Sequence, residues 1–167
     1  MKALTILLFT FCQILAQNIA HIDDLKIKTY QASFTQNITN PSGKTIEYIG
    51  FVFIKQPSKM LWKYKTPIVK NVYMNNLNII IDEPELEQAI YTSLTDEINL
   101  INFLNNPDLI DDKYKLTFKN NKLLSISYND ELENNILISF SNIQINKNIP
   151  NKKFKFNAPL DYDIIRK

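Results

Sequence analysis

The 167-residue chain carries 19 Lys and Arg against 17 Asp and Glu, for a formal charge of +2. So small an excess gives no strongly basic footprint, which excludes the usual electrostatics of nucleic-acid binding. The single Cys, Cys12, and the single His, His21, lie near the N-terminus, so the rest of the chain has no disulfide, thiolate or Cys–His metal chemistry.

Met1-Lys2 is followed by an apolar run from Leu4 to Leu15, a pattern of basic start and hydrophobic centre that reads as an export signal over 1–16. The run is shorter than the ~20 apolar residues of a spanning helix. Cleavage is expected after Ala16, with Ala20 the second choice. Cys12 follows Phe11 rather than a small residue, so it reads as part of the apolar run and not as a lipid-attachment site. The remaining 17–167 stretch is one domain's worth of chain.

Residues 18–29 are expected to form a short helix with Ile19, Ile22 and Leu25 near one face. His21 sits there without a partner His or Cys, so it reads as a surface residue. From Tyr30 the period becomes two, with Tyr30, Ala32, Phe34 and Gln36 on one face. Asn40-Pro41-Ser42-Gly43 has the Pro and Gly placement of a type I turn, and Thr45–Ile54 is expected to return as a hairpin. Phe51-Val52-Phe53-Ile54 is apolar on both faces, so one face must meet a core and the other a second apolar body or a covering element.

Pro57 and Pro67 bracket Met60, Trp62 and Tyr64 on one face, with Lys59, Lys63 and Lys65 opposing them. Val69–Met74 and Leu77–Asp82 are expected to form a hairpin about Asn75-Asn76. Thr95-Asp96-Glu97 suits the cap of a helix carrying Ile98, Ile101, Phe103 and Leu104. Lys113–Phe118, Leu123–Tyr128 and Ile136–Ile145 return to alternation, and Lys153–Phe156 reads as a final strand. The tally is mainly β within the α+β range: an antiparallel meander curling into an incomplete barrel, with short helices covering its opening.

The motifs of common catalytic and nucleotide-binding sites are missing: no P-loop, dinucleotide fingerprint, His-Glu-x-x-His or Gly-x-Ser-x-Gly. Asp23-Asp24, Asp111-Asp112 and Asp130-Glu131 fall at expected ends and turns. The chain therefore reads as a non-enzyme that binds, with no catalytic residue, metal or cofactor. The stripe of Met60, Trp62 and Tyr64, with Phe34, Phe51 and Phe53 near it, is either ordinary core or the wall of a ligand cavity.

Ala32-Ser33-Phe34-Thr35-Gln36, Ser42-Gly43, Gly50, Lys55-Gln56-Pro57, Trp62, Pro67, Pro84 and Gln88-Ala89 together resemble the motif series of the LolA family of periplasmic lipoprotein carriers. Phe154-Lys155-Phe156-Asn157-Ala158-Pro159 is similar to that family's closing segment. The resemblance is strongest from Ala32 to Ala89 and weaker from Asn105 to Glu133. It implies an incomplete barrel whose concave face binds acyl chains under a lid of short helices. It implies a periplasmic location and a monomer that takes acylated lipoproteins from an inner-membrane ABC transporter to an outer-membrane acceptor.

Carried onto this chain, Phe34, Phe51, Phe53, Met60, Trp62, Tyr64, Val72, Ile79 and Ile81 would line the cavity. Ile101, Phe103 and Leu104 would sit on the lid. The residue before Pro57 is Arg in well-known members, where it bonds the lid shut; here it is Gln56, which lacks the charge and the five-donor fork. Either closure is weaker or another residue supplies it. The alternative reading is a periplasmic half-barrel that binds a protein partner, in regulation or envelope assembly, without lipid transfer.

Overall fold

A computed structural model describes residues 27–93, 100–105, 112–120 and 122–167. The expected export signal over 1–16 and the Thr95–Glu97 cap lie outside the described residues. So does the expected helix over 18–29, except for its last three residues, of which Thr29 already opens a strand.

Ten strands form one sheet in the order β10-β6-β5-β4-β3-β2-β1-β9-β8-β7. The central strands are β1 (Thr29–Thr39), β2 (Thr45–Lys55), β3 (Lys59–Thr66), β4 (Lys70–Asn75), β5 (Asn78–Glu83) and β6 (Gln88–Ser93). A short helix α1 (Leu100–Asn105) precedes β7 (Lys115–Lys119), β8 (Lys122–Asn129), β9 (Asn135–Ile145) and the terminal β10 (Asp163–Arg166). The β1–β2 turn forms as expected: the Gly43 N–H donates to Asn40 O at 2.9 Å, and Gly43 has φ +84°, where glycine escapes the Cβ penalty. The β4–β5 turn lies one residue later than expected, with Asn76 at φ 54°.

The simple meander is not what forms. β1 pairs with β2 on one side and with β9 on the other, so hairpins build two blocks that β1 joins. Residues 88–93 form a strand, β6, between β5 and β10. The C-terminal reading is also corrected: residues Asn151–Phe154 are a 3-10 turn, and the last strand, β10, runs parallel to β6. Pro150 and Pro159 bracket this stretch, and proline gives no ladder donor. The Lys-Phe alternation seats the rings of Phe154 and Phe156 on the sheet without making a strand.

Period-two alternation divides the side chains between two faces. Tyr30, Ala32, Phe34, Val52, Ile54, Met60, Trp62, Val72, Met74 and Ile79 build the principal core on the concave face, closed by Ile126, Ile138 and Phe140 from β8 and β9. Leu100, Phe103 and Leu104 of α1 pack into the same core. On the convex face Leu61, Ile149 and Phe154 form a second cluster, with Phe53 and Tyr73 against it. The run 51–54 thus meets apolar partners on both sides, as its composition requires. Asn71 Nδ2 donates to Asp82 Oδ2 at 2.8 Å on the convex side, and both residues are buried.

Candidate functional site

The concave face is not completely filled. Near the β3–β4 and β8–β9 turns, a groove of ≈ 450 Å³ opens between the two blocks of the sheet. That falls within the roughly 300–1,000 Å³ span of ligand pockets. Trp62, Tyr64, Val72 and Ile81 form one wall, and Tyr114, Tyr128 and Ile138 form the opposite one. Lys70, Lys113, Asp130 and Glu131 border it, so an apolar trough carries a mixed-charge rim.

Register explains the first wall. Trp62 pairs with Val72 and Val72 with Ile81, so three adjacent strands present one row of apolar side chains. Phe34 holds the row in place, its ring meeting Trp62 edge-on at 4.8 Å and Tyr64 at 5.1 Å between centroids. Such pairs add about 0.5–1.5 kcal/mol beyond area burial. Tyr64 OH donates to Gln36 Oε1 at 3.1 Å, which turns its polar tip toward β1 and leaves the ring as wall. On the far side Tyr114 stands 5.3 Å from Tyr128 and 4.9 Å from Phe103 of α1. The helix is thereby in direct contact with the groove's second wall.

The rim cations lie over rings. Lys70 Nζ is 5.0 Å from the Tyr64 centroid and Lys113 Nζ is 4.9 Å from that of Tyr114. Asp130 accepts from the Leu132 and Asn134 backbone N–H groups and from Asn134 Nδ2. The Asn134 side-chain hydrogen bond comes first among the causes that hold the Asp130 carboxyl below its usual range. This carboxylate is engaged in shaping its turn.

Of the residues expected to line a cavity, Trp62, Tyr64, Val72 and Ile81 do line the groove. Phe34, Met60, Ile79, Phe103 and Leu104 are buried in the adjoining core. Ile101 lies in α1, and its side chain is outside the described set. Phe51 and Phe53 require correction: they face the convex side, because Val52 between them pairs with Trp62 while they pair with Lys63 and Leu61. Gln56 donates its backbone N–H to Lys28 O at 2.9 Å. Its side-chain Nε2 is buried and has no hydrogen-bond partner among the described residues, so the expected lid-closing bond is not among those formed there.

Sequence reasoning missed Gln36, Tyr114, Tyr128 and Ile138 as groove residues. Tyr128 and Ile138 sit in segments whose alternation is visible, but only the β1–β9 and β8–β9 pairings bring β8 and β9 opposite Trp62; Tyr114 immediately precedes β7, and Gln36 lies on β1. Among the described residues no group of three or more His, Cys, Asp or Glu is placed to hold a metal. No helix among them is long and apolar enough to cross a membrane.

An open, curled sheet, antiparallel except where β10 joins β6, with an aromatic groove on its concave face and a short helix beside it defines a binding fold. The chain belongs to the LolA family: residues 25–117 match the profile described as outer membrane lipoprotein carrier protein LolA. It is 35% identical over 153 residues to an outer-membrane lipoprotein carrier protein of Campylobacter jejuni, covering 86% of this chain and 89% of that one. It is 34% identical over 152 residues to the protein of the same description from Helicobacter pylori, covering 84% and 81%. Among solved structures, an uncharacterized conserved protein from Thermus thermophilus superposes with a TM-score of 0.56 at 11% identity, over 87% of this chain and 94% of that one. That likeness is one of fold.

Proposed function

We propose that this protein is a periplasmic carrier that binds the acyl chains of lipoproteins released from the inner membrane and delivers them toward the outer membrane. The observation that carries the reading is the row Trp62, Val72 and Ile81, which offers apolar wall to an open groove in a member of this family. The protein acts by holding rather than by bond chemistry. The signal over 1–16 would direct export, leaving 17–167 as one carrier domain that works as a monomer. An inner-membrane ABC transporter would load it, and an outer-membrane acceptor would unload it.

Helix α1 serves as part of the lid. Leu100, Phe103 and Leu104 are buried against the same core as Met60 and Ile79, so lifting the helix would lengthen the groove and expose those residues to cargo. A carrier must also release. Acyl burial contributes about 0.8 kcal/mol per methylene, and the cost of lifting α1 offsets part of that gain, keeping hand-over possible. Gln56, at the position of the family's lid-holding Arg, has a buried Nε2 with no partner among the described residues; a neutral hydrogen bond from it would hold the lid more weakly than a guanidinium. A Gln56→Arg chain should then exchange a bound apolar dye more slowly than the parent, and an unchanged exchange rate would remove Gln56 from that role.

Native mass spectrometry with a triacylated lipopeptide and its non-acylated counterpart tests the reading. A complex with the acylated form alone, lost in Trp62→Glu while the fold persists, is the expected result. No complex with either peptide would favour the half-barrel that binds a protein partner.

A further inference from the structure

The convex face carries a charge pattern that the groove does not use. Phe51 pairs with Lys63 and Phe53 with Leu61, so strand alternation puts Lys55, Lys59, Lys63 and Lys65 on that face. The segment crossing there contributes Lys153, whose Nζ lies 3.8 Å from the Phe53 centroid, and Lys152 and Lys155 flank it in sequence. Lys65 Nζ lies 4.9 Å from the Phe51 centroid. Between Glu47 and Asp82 the chain has Lys55, Lys59, Lys63, Lys65 and Lys70 and no acid; between Glu133 and Asp161 it has Lys147, Lys152, Lys153 and Lys155 and no acid.

The small net charge therefore conceals a separation. Acids gather instead at the β5–β6 turn, as Glu83, Glu85 and Glu87, and at the β8–β9 turn, as Asp130, Glu131 and Glu133. On the convex side Asp82 is buried and bonded to Asn71, and Glu47 stands at the far end of β2.

We propose that this convex face docks on the surface of an anionic phospholipid bilayer. Three properties favour a bilayer over an acidic protein. The cations are lysines, compact charges on flexible stems without the fork that fixes one carboxylate, and lysine is depleted at protein interfaces. They are spread out, with Lys59 and Lys65 about 20 Å apart along β3 at a rise of ~3.3 Å per residue. Among them sit the half-buried rings of Phe51 and Phe53 and an Ile49 that is 44% exposed, apolar groups suited to the boundary between headgroups and acyl chains. The groove faces the other way, so docking leaves it free, and the proposal does not depend on what the groove holds.

Vesicle flotation of the protein purified from its export compartment tests this. Vesicles of phosphatidylcholine with phosphatidylglycerol are compared with phosphatidylcholine alone, which reports uptake through the groove or any other apolar segment. Binding to the anionic vesicles only, weakening as salt shortens the reach of surface charge, is expected. The triple variant Lys63→Glu, Lys65→Glu, Lys153→Glu should lose at least about fivefold in partition per lysine, which corresponds to the ~1 kcal/mol assigned to each basic residue near an anionic surface. Lys115→Glu with Lys119→Glu on β7, four strands from β2 in the sheet order, should bind as the parent does. Far-UV circular dichroism checks that each variant is folded. Equal binding to both vesicle types, or undiminished binding by the folded triple variant, overturns the proposal. Failure to bind anionic vesicles together with capture of polyglutamate overturns it in favour of an acidic protein partner.

Discussion

Gly50 shows how little space the groove wall leaves behind it. A Cβ built there would meet the backbone oxygen of Lys63 and lie 2.8 Å from the Phe34 ring. Since Phe34 positions both Trp62 and Tyr64, Gly50→Ala should loosen the wall as well as strain β2–β3 pairing. The expected cost is about 1–3 kcal/mol, seen as a lower urea midpoint with little change in slope. Ile81 is the better probe of binding alone, because it is half-buried and faces the groove. Ile81→Glu should keep the parent's circular dichroism and lose the acylated peptide; retained binding would place the acyl chain elsewhere.

Tyr30 is a third informative residue. It is fully buried, donates its hydroxyl to Leu123 O at 2.9 Å, and has its pKa pushed well up by burial. A tyrosine with a raised folded pKa gives stability that is complete below its unfolded value near 10 and is lost as pH climbs from there toward the folded value. The melting temperature should therefore fall above about pH 10. Tyr30→Phe should soften that fall while costing about 1–2 kcal/mol at neutral pH, because Leu123 O loses its donor. A variant with the parent's alkaline slope would assign the titration to other groups.

At the scale of elements, the C-terminal segment crosses the convex face before adding β10 to the edge. Phe154 packs with Leu61 and Ile149, and Phe156 lies 5.6 Å from Tyr73 and 6.3 Å from Tyr162 between ring centroids. β10 satisfies the outer edge of β6, and an uncovered edge is a template for pairing with another chain. Deleting residues 163–167 should leave the groove intact but promote self-association, measurable by light scattering with concentration; a chain that stays dispersed would show that β6 needs no cover.

The same elements show what could be read from sequence. The first hairpins were legible because alternation, a Pro-Gly turn and an Asn pair all act within a few residues. Phe51 and Phe53 were assigned to the wrong side because Val52 and Ile54 are equally apolar, so hydrophobicity alone could not choose the face. Lys153–Phe156 alternates like a strand, yet alternation cannot supply a neighbour to pair with. Alternation puts Trp62 and Tyr64 on one stripe but leaves open whether that stripe is core or wall, Val72 and Ile81 enter only through the family resemblance, and Tyr114 and Tyr128 depend on a pairing between distant segments. The rim charges gave no advance signal, since turn acids and exposed lysines look alike whether or not a groove lies between them.

For the whole molecule, the pairing of β1 with β9 has a consequence in time. Residues 29–39 bond to residues 135–145, so a chain emerging N-terminus first can lay down its early hairpins and still keep one side of β1 bare. The concave core cannot close, because Ile126, Ile138 and Phe140 have yet to arrive. Contacts of such long sequence separation form late and slowly. Synthesis can thus run nearly to its end before the concave core closes, and the groove takes its shape only when the last quarter of the polypeptide reaches the first.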